Sequence, residues 1–355
     1  MKIAFVGIKR EYQKMDLEYR NFFTRFHLEL PYYYANDPLN EVTVTTVDVD
    51  WPDAFYEDNR DAWGNRSDPI VHYQLEEHFV KFNQRPDVVI HWRKWFPEFY
   101  KPGAINLINC QDHSFSQEWL KNVKEAVDNK YLNGILCFPG WHKRNLQKET
   151  QLPEKLLLDG VTLGVDTDIY IPHEGKSPYE MLWSSDPGRG LSGAIELALK
   201  LYQKDKRFRL NICYPDYAAT PQKLMHPALV WHGSVKNSQK LFNLFNVCGI
   251  LPYTSTFKEP SSRAHRQAQA AGCLVLYPPN MGTPSELIMN GQTGIVSEPS
   301  TWPDKIIEVI NNGEWETIGK KAREFAVSQN WKVQANNFYN LIEKISKEIN
   351  PYARY

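Results

Sequence analysis

The stretch SSDPGRGLSGAIELALKLYQK (residues 184–204) decides how the chain is read. It begins at the end of a β-rich run, YEMLWSS (179–185), and crosses a turn holding Pro187, Gly188 and Gly190. The spacing of Leu191, Ile195, Ala198, Leu199 and Tyr202 then predicts a helix. A strand that passes through a glycine-bearing loop into a helix builds an anion site. The first-turn N–H groups are free, and the helix dipole favours negative charge. Arg189 is a cation at the position where the dipole favours an acid. Two readings are open from this stretch. Arg189 is a surface turn residue, at a cost of about a few tenths of a kcal/mol, or a phosphate stands between it and the helix.

Outward from this stretch, the same alternation runs through the whole chain. Strands are predicted at KIAFVG, VTVTTVDV, PDVVIHW, INLINC and GILCFP in the first half. YEMLWSS, FRLNICYP, ALVWHG, CGILPY and CLVLYP follow in the second. Helical spacing is read over 71–83, 116–128, 191–204, 236–246, 261–271 and 303–312, and over the tail at 330–349. Strands alternating with helices predict parallel sheets covered on both faces. Ten strands over 355 residues suggest two doubly wound α/β units rather than one sheet. The polar, proline-bearing segments KETQLPEK and IPHEGKSP put the join between 150 and 175. We therefore divide the chain into 1–155 and 156–330, with the helix in 331–355 packing back on the first domain. Ligands in such sheets bind beyond the carboxyl ends of the strands.

Composition narrows the classes. With 42% hydrophobic and 23% charged residues the chain reads as globular. A net charge of -1 offers no general attraction for nucleic acid. Cys110, Cys137, Cys213, Cys248 and Cys273 form no CxxC pair and mostly lie in apolar runs. They are expected to be buried thiols of a cytoplasmic protein, with no disulfide or zinc site. No signal peptide or membrane span is read. The Asn65-Arg66-Ser67 sequon is taken as accidental. NFFTRFHLELPYYY (21–34) is amphipathic; a core-facing role is preferred over peripheral membrane contact.

A second informative stretch is TFKEPSSRAHRQAQAAGCLVLYPPNMGTPSEL (256–287). Ser261 and Ser262 are good helix-entry residues, and Glu259 precedes the helix that carries Gln267. Taken alone, this stretch favours Glu259 as a dipole partner of that helix and Gln267 as a solvated residue.

Several segments of the second half, in order, resemble the retaining family 4 glycosyltransferases of the GT-B fold. They are GVDTDIYIP (164–172), SSDPGRGL, VWHGSV (230–235), the run from Gly249 to Leu276, GTPSELI (282–288) and SQNWKVQANNFYNLIEKI (328–345). The resemblance covers about half the chain and implies two Rossmann-like domains facing a central cleft. It implies a nucleotide-diphosphate sugar as donor, no metal or other cofactor, and retention of configuration in a hexosyltransferase-like reaction. A carbohydrate, lipid-linked or small-molecule acceptor is implied, and nucleic acid is not.

Position by position, Glu259 matches the first acid of the family's E-x7-E motif, expected at the donor sugar. Gln267 stands where the second acid, expected at the ribose, is usual. Pro260, Ser261 and Ser262 replace the GFG of that motif. Arg189 and Ser184 stand where the phosphate loop has Lys and Arg, and Gly190 follows. Lys258 or Arg263 is available to replace the missing cation. Gly233 and Val235 match the strand end bordering the base, and Gly282, Thr283 and Glu286 match the later donor turn. The first half matches weakly, since IKREYQK replaces the usual glycine-rich loop. His113 matches a residue expected near the transferred sugar; a structural pair with Asp112 is the alternative. GILCFPGWHKRNL (134–146) matches a strand–helix step. In HWRKWFPEFY (91–100), Trp92, Trp95 and Phe96 either stack on an acceptor sugar or form a packed aromatic corner, and Arg93 and Lys94 are cations for an acidic or phosphorylated acceptor, with Asp112 a further acceptor candidate. Glu259, His113 and Arg189 are the expected catalytic group. A sugar-nucleotide epimerase or hydrolase and a non-catalytic binding protein are the alternatives.

Overall fold

The computed structural model describes residues 2–6, 41–46, 71–75, 86–215, 218–235 and 238–349. The segments 8–14 and 21–34 and the sequon at Asn65 lie outside these residues. The chain divides into two units. Met1–Thr162 with Trp331–Tyr355 form the first, and Leu163–Asn330 the second.

The first unit holds a parallel sheet of β1 (Lys2–Val6), β2 (Glu41–Thr46), β3 (Val71–Leu75), β4 (Val88–Trp92), β5 (Ile105–Asn109), β6 (Gly134–Cys137) and β7 (Leu157–Asp159). Their order is β3-β2-β1-β4-β5-β6-β7. Every residue of β4 is buried, as a strand covered on both faces requires. The helices α1 (Gln117–Asp128) and α2 (Trp141–Thr150) follow β5 and β6. The Ser116 hydroxyl caps α1 by accepting the Trp119 N–H at 3.1 Å.

The predicted helix over 71–83 is corrected by β3. Val71, Tyr73 and Leu75 alternate with polar residues, and the segment pairs in parallel with β2. Period-two patterning and a strand partner outweigh the helical spacing there. β7 and a two-residue strand at Ile295–Val296 are not among the predicted strands.

The second unit holds β8 (Ser177–Ser184), β9 (Arg209–Tyr214), β10 (Leu229–Ser234), β11 (Cys248–Pro252), β12 (Leu274–Tyr277) and β13 (Ile295–Val296). All pairings are parallel, in the order β10-β9-β8-β11-β12-β13. Six helices accompany them: α3 (Leu191–Lys204), α4 (Ser238–Val247), α5 (Arg263–Ala270), α6 (Thr283–Leu287), α7 (Trp302–Asn311) and α8 (Glu314–Ser328).

Helix α3 buries Leu191, Ala194, Leu197, Ala198 and Leu201. This stripe is rotated from the predicted one. Leu199 and Tyr202 are only partly buried, because α3 is apolar on two faces and the sheet selects one. The Tyr202 ring instead lies under Lys206 (4.3 Å) and Arg209 (5.2 Å). The core of this unit joins α3, α7 and the strands through Met181, Trp183, Phe208, Ile250, Leu276 and Trp302.

The last helix, α9 (Trp331–Ile349), belongs to the first unit, where Phe338 stacks on Phe5 of β1 at 6.1 Å. All five cysteines are free and buried. Among the described residues no helix is long and apolar enough to cross a membrane.

Candidate functional site

In the second unit the strand order reverses between β8 and β11, so the crevice of this sheet opens beyond their carboxyl ends. The two sequence stretches singled out above begin at these ends. The loop after β8 turns through a short 3-10 helix, Pro187–Arg189, and the Asp186 carboxylate accepts the Gly188 N–H at 2.8 Å. Gly190 then enters α3 at φ +100°, and no side chain caps the helix. The Thr254 hydroxyl beyond β11 donates to the Gly190 carbonyl at 2.6 Å. The loops after β8 and β11 are thereby joined.

Arg189 has a protein partner across these loops. Its Nη1 donates to Glu259 Oε1 at 2.7 Å, with the arginine side chain 49% exposed and the glutamate 11%. The guanidinium also lies 5.7 Å from the centre of the exposed Phe257 ring. A buried carboxylate therefore balances the cation that opposes the α3 dipole. Burial lifts the Glu259 carboxyl above the usual carboxylate range, and Tyr253, Arg189 and Ser262 pull it down without cancelling that effect. Glu259 thus precedes α5 and faces Arg189, rather than acting as a dipole partner of the helix.

Ser262 is the N-cap residue of α5, yet its side chain makes no capping bond. The hydroxyl lies on the Glu259 side of the helix entry, where it helps to hold that carboxyl's lift down. The N-termini of α3 and α5 are therefore both free of side-chain caps, with the Arg189–Glu259 pair between their entry loops. Gly282 fixes the Glu259 backbone from the other side. The two residues bridge in parallel, and the Thr283 N–H donates to the Glu259 carbonyl at 3.1 Å. Under the carboxylate, Tyr253 and Tyr277 stack at 4.4 Å and 10°. Their buried hydroxyls lack well-formed hydrogen bonds. Both aromatics sit at strand ends within apolar runs, where sequence reading takes them for core.

The remaining sequence candidates spread over the same end of the sheet. Lys258 is exposed beside Glu259, Ser261 and Arg263 are half-buried, and Glu286 is exposed on α6. Ser184 ends β8 in register with Cys213. Gly233, at φ +76°, follows a register shift in β10, and the Val235 N–H donates to the Tyr214 carbonyl at 3.0 Å. Gln267 is buried, not solvated. Its amide donates to the Tyr170 hydroxyl at 2.7 Å. Tyr170 is itself held by the Arg323 guanidinium, which also donates to Ala270 and Thr167 carbonyls at 2.6 and 2.8 Å.

In the first unit the residues beyond β4 and β5 form a second polar cluster. Arg93, at φ +61°, pairs bidentately with Asp112, its Nε donating at 2.9 Å. Asp112 therefore pairs with Arg93 and not with His113. His113 is half-buried, and its carbonyl accepts from Asn145 at 3.1 Å. Trp92, Trp95 and Phe96 are all buried, with Trp95 against His91 at 4.3 Å. This is the packed aromatic corner.

His142 accepts the Phe138 N–H at Nδ1, 3.0 Å, so Nε2 carries the proton and donates to the Asp112 carbonyl at 2.7 Å. Burial pushes His142 down to about 4 and His91 down to about 3. Both are neutral in the fold, while the unfolded chain takes up their protons near pH 6.5. Their contribution to stability is therefore full above pH 6.5 and falls as pH drops towards 4. The slope approaches about 1.4 kcal/mol per pH unit for each histidine. Thermal unfolding followed from pH 7.5 to 4.5 is expected to show a falling midpoint already between pH 6.5 and 5.

Among the described residues no group of three His, Cys, Asp or Glu is placed to hold a metal ion. No family model matches the chain, and no curated protein matches it. Solved structures do match. A glycosyltransferase from Rickettsia africae ESF-5 aligns over 99% of this chain and 99% of its own at 15% identity, with a TM-score of 0.69. HepE from Anabaena in complex with UDP-glucose covers 97% of this chain and 100% of its own at 14% identity, with a TM-score of 0.66. The sucrose-phosphate synthase of Thermosynechococcus elongatus covers 97% and 99% at 13% identity, with a TM-score of 0.65. The fold is GT-B. At these identities the likeness is one of fold, and activity has to be argued from the site of this GT-B chain itself.

Proposed function

We propose that this chain is a glycosyltransferase that moves a sugar from a nucleotide-diphosphate sugar to a hydroxyl of a carbohydrate, lipid-linked or small-molecule acceptor. The observation that carries the reading is the Arg189–Glu259 pair between two uncapped helix entries at the switch point of the second sheet. In this reading Arg189 and the first N–H groups of α3 hold the diphosphate. Glu259 accepts hydrogen bonds from the hydroxyls of the donor sugar. Negative charge grows on the diphosphate as the glycosidic bond breaks, so fixed donors there stabilise the transition state more than the bound donor. Anabaena HepE, of the same fold, has been solved with UDP, with UDP-glucose, and with UDP and glucose, which supports a donor of this class.

Retention of configuration is part of the proposal. A double displacement needs a carboxylate nucleophile on the far face of the sugar, and the reading assigns none. The acceptor then attacks on the face from which the diphosphate leaves, and a phosphate oxygen takes its proton. In the first unit, the resemblance offers His113 as a residue for the sugar and Arg93 with Asp112 as residues for the acceptor. The reading calls on no metal, because Arg189 and the α3 N–H groups supply the countercharge. Five free buried thiols are in keeping with a cytoplasmic location.

A second reading, a nucleotide- or glycan-binding protein without turnover, draws on the engagement of Gln267 with Tyr170. A thermal-shift panel of UDP-, GDP- and ADP-sugars, followed by product analysis with and without acceptors, separates these. Stabilisation by one donor and acceptor-dependent release of its nucleotide diphosphate is expected. Free sugar or an epimer formed without acceptor would favour a hydrolase or epimerase. Binding without turnover across a broad acceptor screen would favour the second reading.

A further inference from the structure

The Arg189–Glu259 bond lies where the proposed reading needs two separate contacts, one to phosphate and one to sugar. We infer that this ion pair makes the site discriminate against the sugar-free nucleotide diphosphate, because only a ligand carrying the sugar gives Glu259 a replacement for the guanidinium. The inference rests on the proposed function and adds a specificity role for Glu259 directed at the product.

The geometry leads there in three steps. The Glu259 side chain is 11% exposed, so water is a poor substitute for a lost partner. Its backbone is pinned by the bridge to Gly282 and by the Thr283 N–H, so the loop does not carry the carboxylate out to solvent when Arg189 turns away. Arg189, by contrast, is 49% exposed on a long side chain and is free to turn towards a ligand.

A bare nucleotide diphosphate that draws Arg189 away leaves the carboxylate with Ser262 and Tyr253 nearby and no cation. A donor that brings sugar hydroxyls restores hydrogen bonds to that carboxylate as it takes Arg189. After transfer the hydroxyls leave with the acceptor, and the pair re-forms against the diphosphate product. Product release is thereby favoured by the same two side chains that bind the donor.

The test is a binding comparison by calorimetry between the wild type and E259Q. The ligands are the sugar nucleotide that stabilises the wild type and its parent nucleotide diphosphate. E259Q is expected to bind the nucleotide diphosphate about threefold to tenfold more tightly and the sugar nucleotide at least about tenfold more weakly. A merely structural role for Glu259 would weaken both. Equal or weaker binding of the nucleotide diphosphate by E259Q overturns the inference, since Arg189 then serves both groups at once.

Plain repulsion between Glu259 and phosphate is separated by a double-mutant cycle. In the R189A background, read by ligand-observed NMR at millimolar nucleotide, the E259Q gain is expected to disappear. A gain that persists there overturns the exchange. A wild type that binds none of the donors overturns the proposed function itself, and this inference with it.

Discussion

Replacing Arg189 by alanine is expected to abolish the thermal stabilisation that a sugar nucleotide gives the wild type, while the ligand-free chain stays folded. Two charge-assisted hydrogen bonds to phosphate are lost, together about 2–3 kcal/mol, or roughly 30- to 150-fold in Kd. At a ligand concentration about a hundred times the wild-type Kd, stabilisation drops from about 2.7 kcal/mol to about 0.3–0.9 kcal/mol. The ligand-free fold tolerates the change for two reasons. The arginine side chain is half in solvent. The Glu259 backbone is held without the arginine, by the bridge to Gly282 and the Thr283 N–H. An R189A variant that keeps the full donor shift would remove Arg189 from the diphosphate site. The candidate site would then lose the group that carries its electrostatics.

Arg189 also shows how far the sequence could be read. The strand, the Gly-Arg-Gly turn and the following helix are local features, and their order in the chain is their order in space. Parallel sheets came from alternation in the same way, because a parallel crossover needs an intervening segment that the pattern displays. What the sequence hid was the partner of the cation. Glu259 is 70 positions away, and the two meet because the strand order reverses between β8 and β11. Alternation predicts strands but not their lateral order.

The errors have similar causes. A five-residue strand such as Val71–Leu75 is too short for periodicity to separate from a helix turn. Leu157–Asp159 and Ile295–Val296 are shorter still and are fixed by their neighbours. Tyr253 and Tyr277 read as apolar bulk, and only their stacking below Glu259 gives them a place in the site. Ser262 reads as a helix-entry residue and stands there, but its side chain does not cap the helix, because the neighbouring Glu259 carboxyl, placed there by the tertiary fold, competes for it.

Gly190→Ala is expected to cost about 3 kcal/mol or more and to disable donor binding in whatever remains folded. Gly190 has φ +100°, where an L side chain is strained by about 1–2 kcal/mol. The added Cβ would also stand 2.3 Å from the Thr254 carbonyl oxygen and 2.8 Å from the Ser255 backbone nitrogen. Neither atom belongs to a side chain that can turn aside, so the two loops must separate. Their separation breaks the Thr254–Gly190 hydrogen bond and carries Arg189 away from Glu259. For a unit of this size the melting midpoint is expected to fall by roughly 6–12 °C. Gly188→Ala is the matched control two residues earlier. A Cβ there meets only the flexible Asp186 carboxylate, at 3.2 Å, and its effect is expected to stay within about 0.5 kcal/mol. Measured side by side, the two variants separate a close approach of backbones from ordinary turn chemistry. If G190A melts with G188A, the loops after β8 and β11 are not packed as described, and the cation and the carboxylate have no common site.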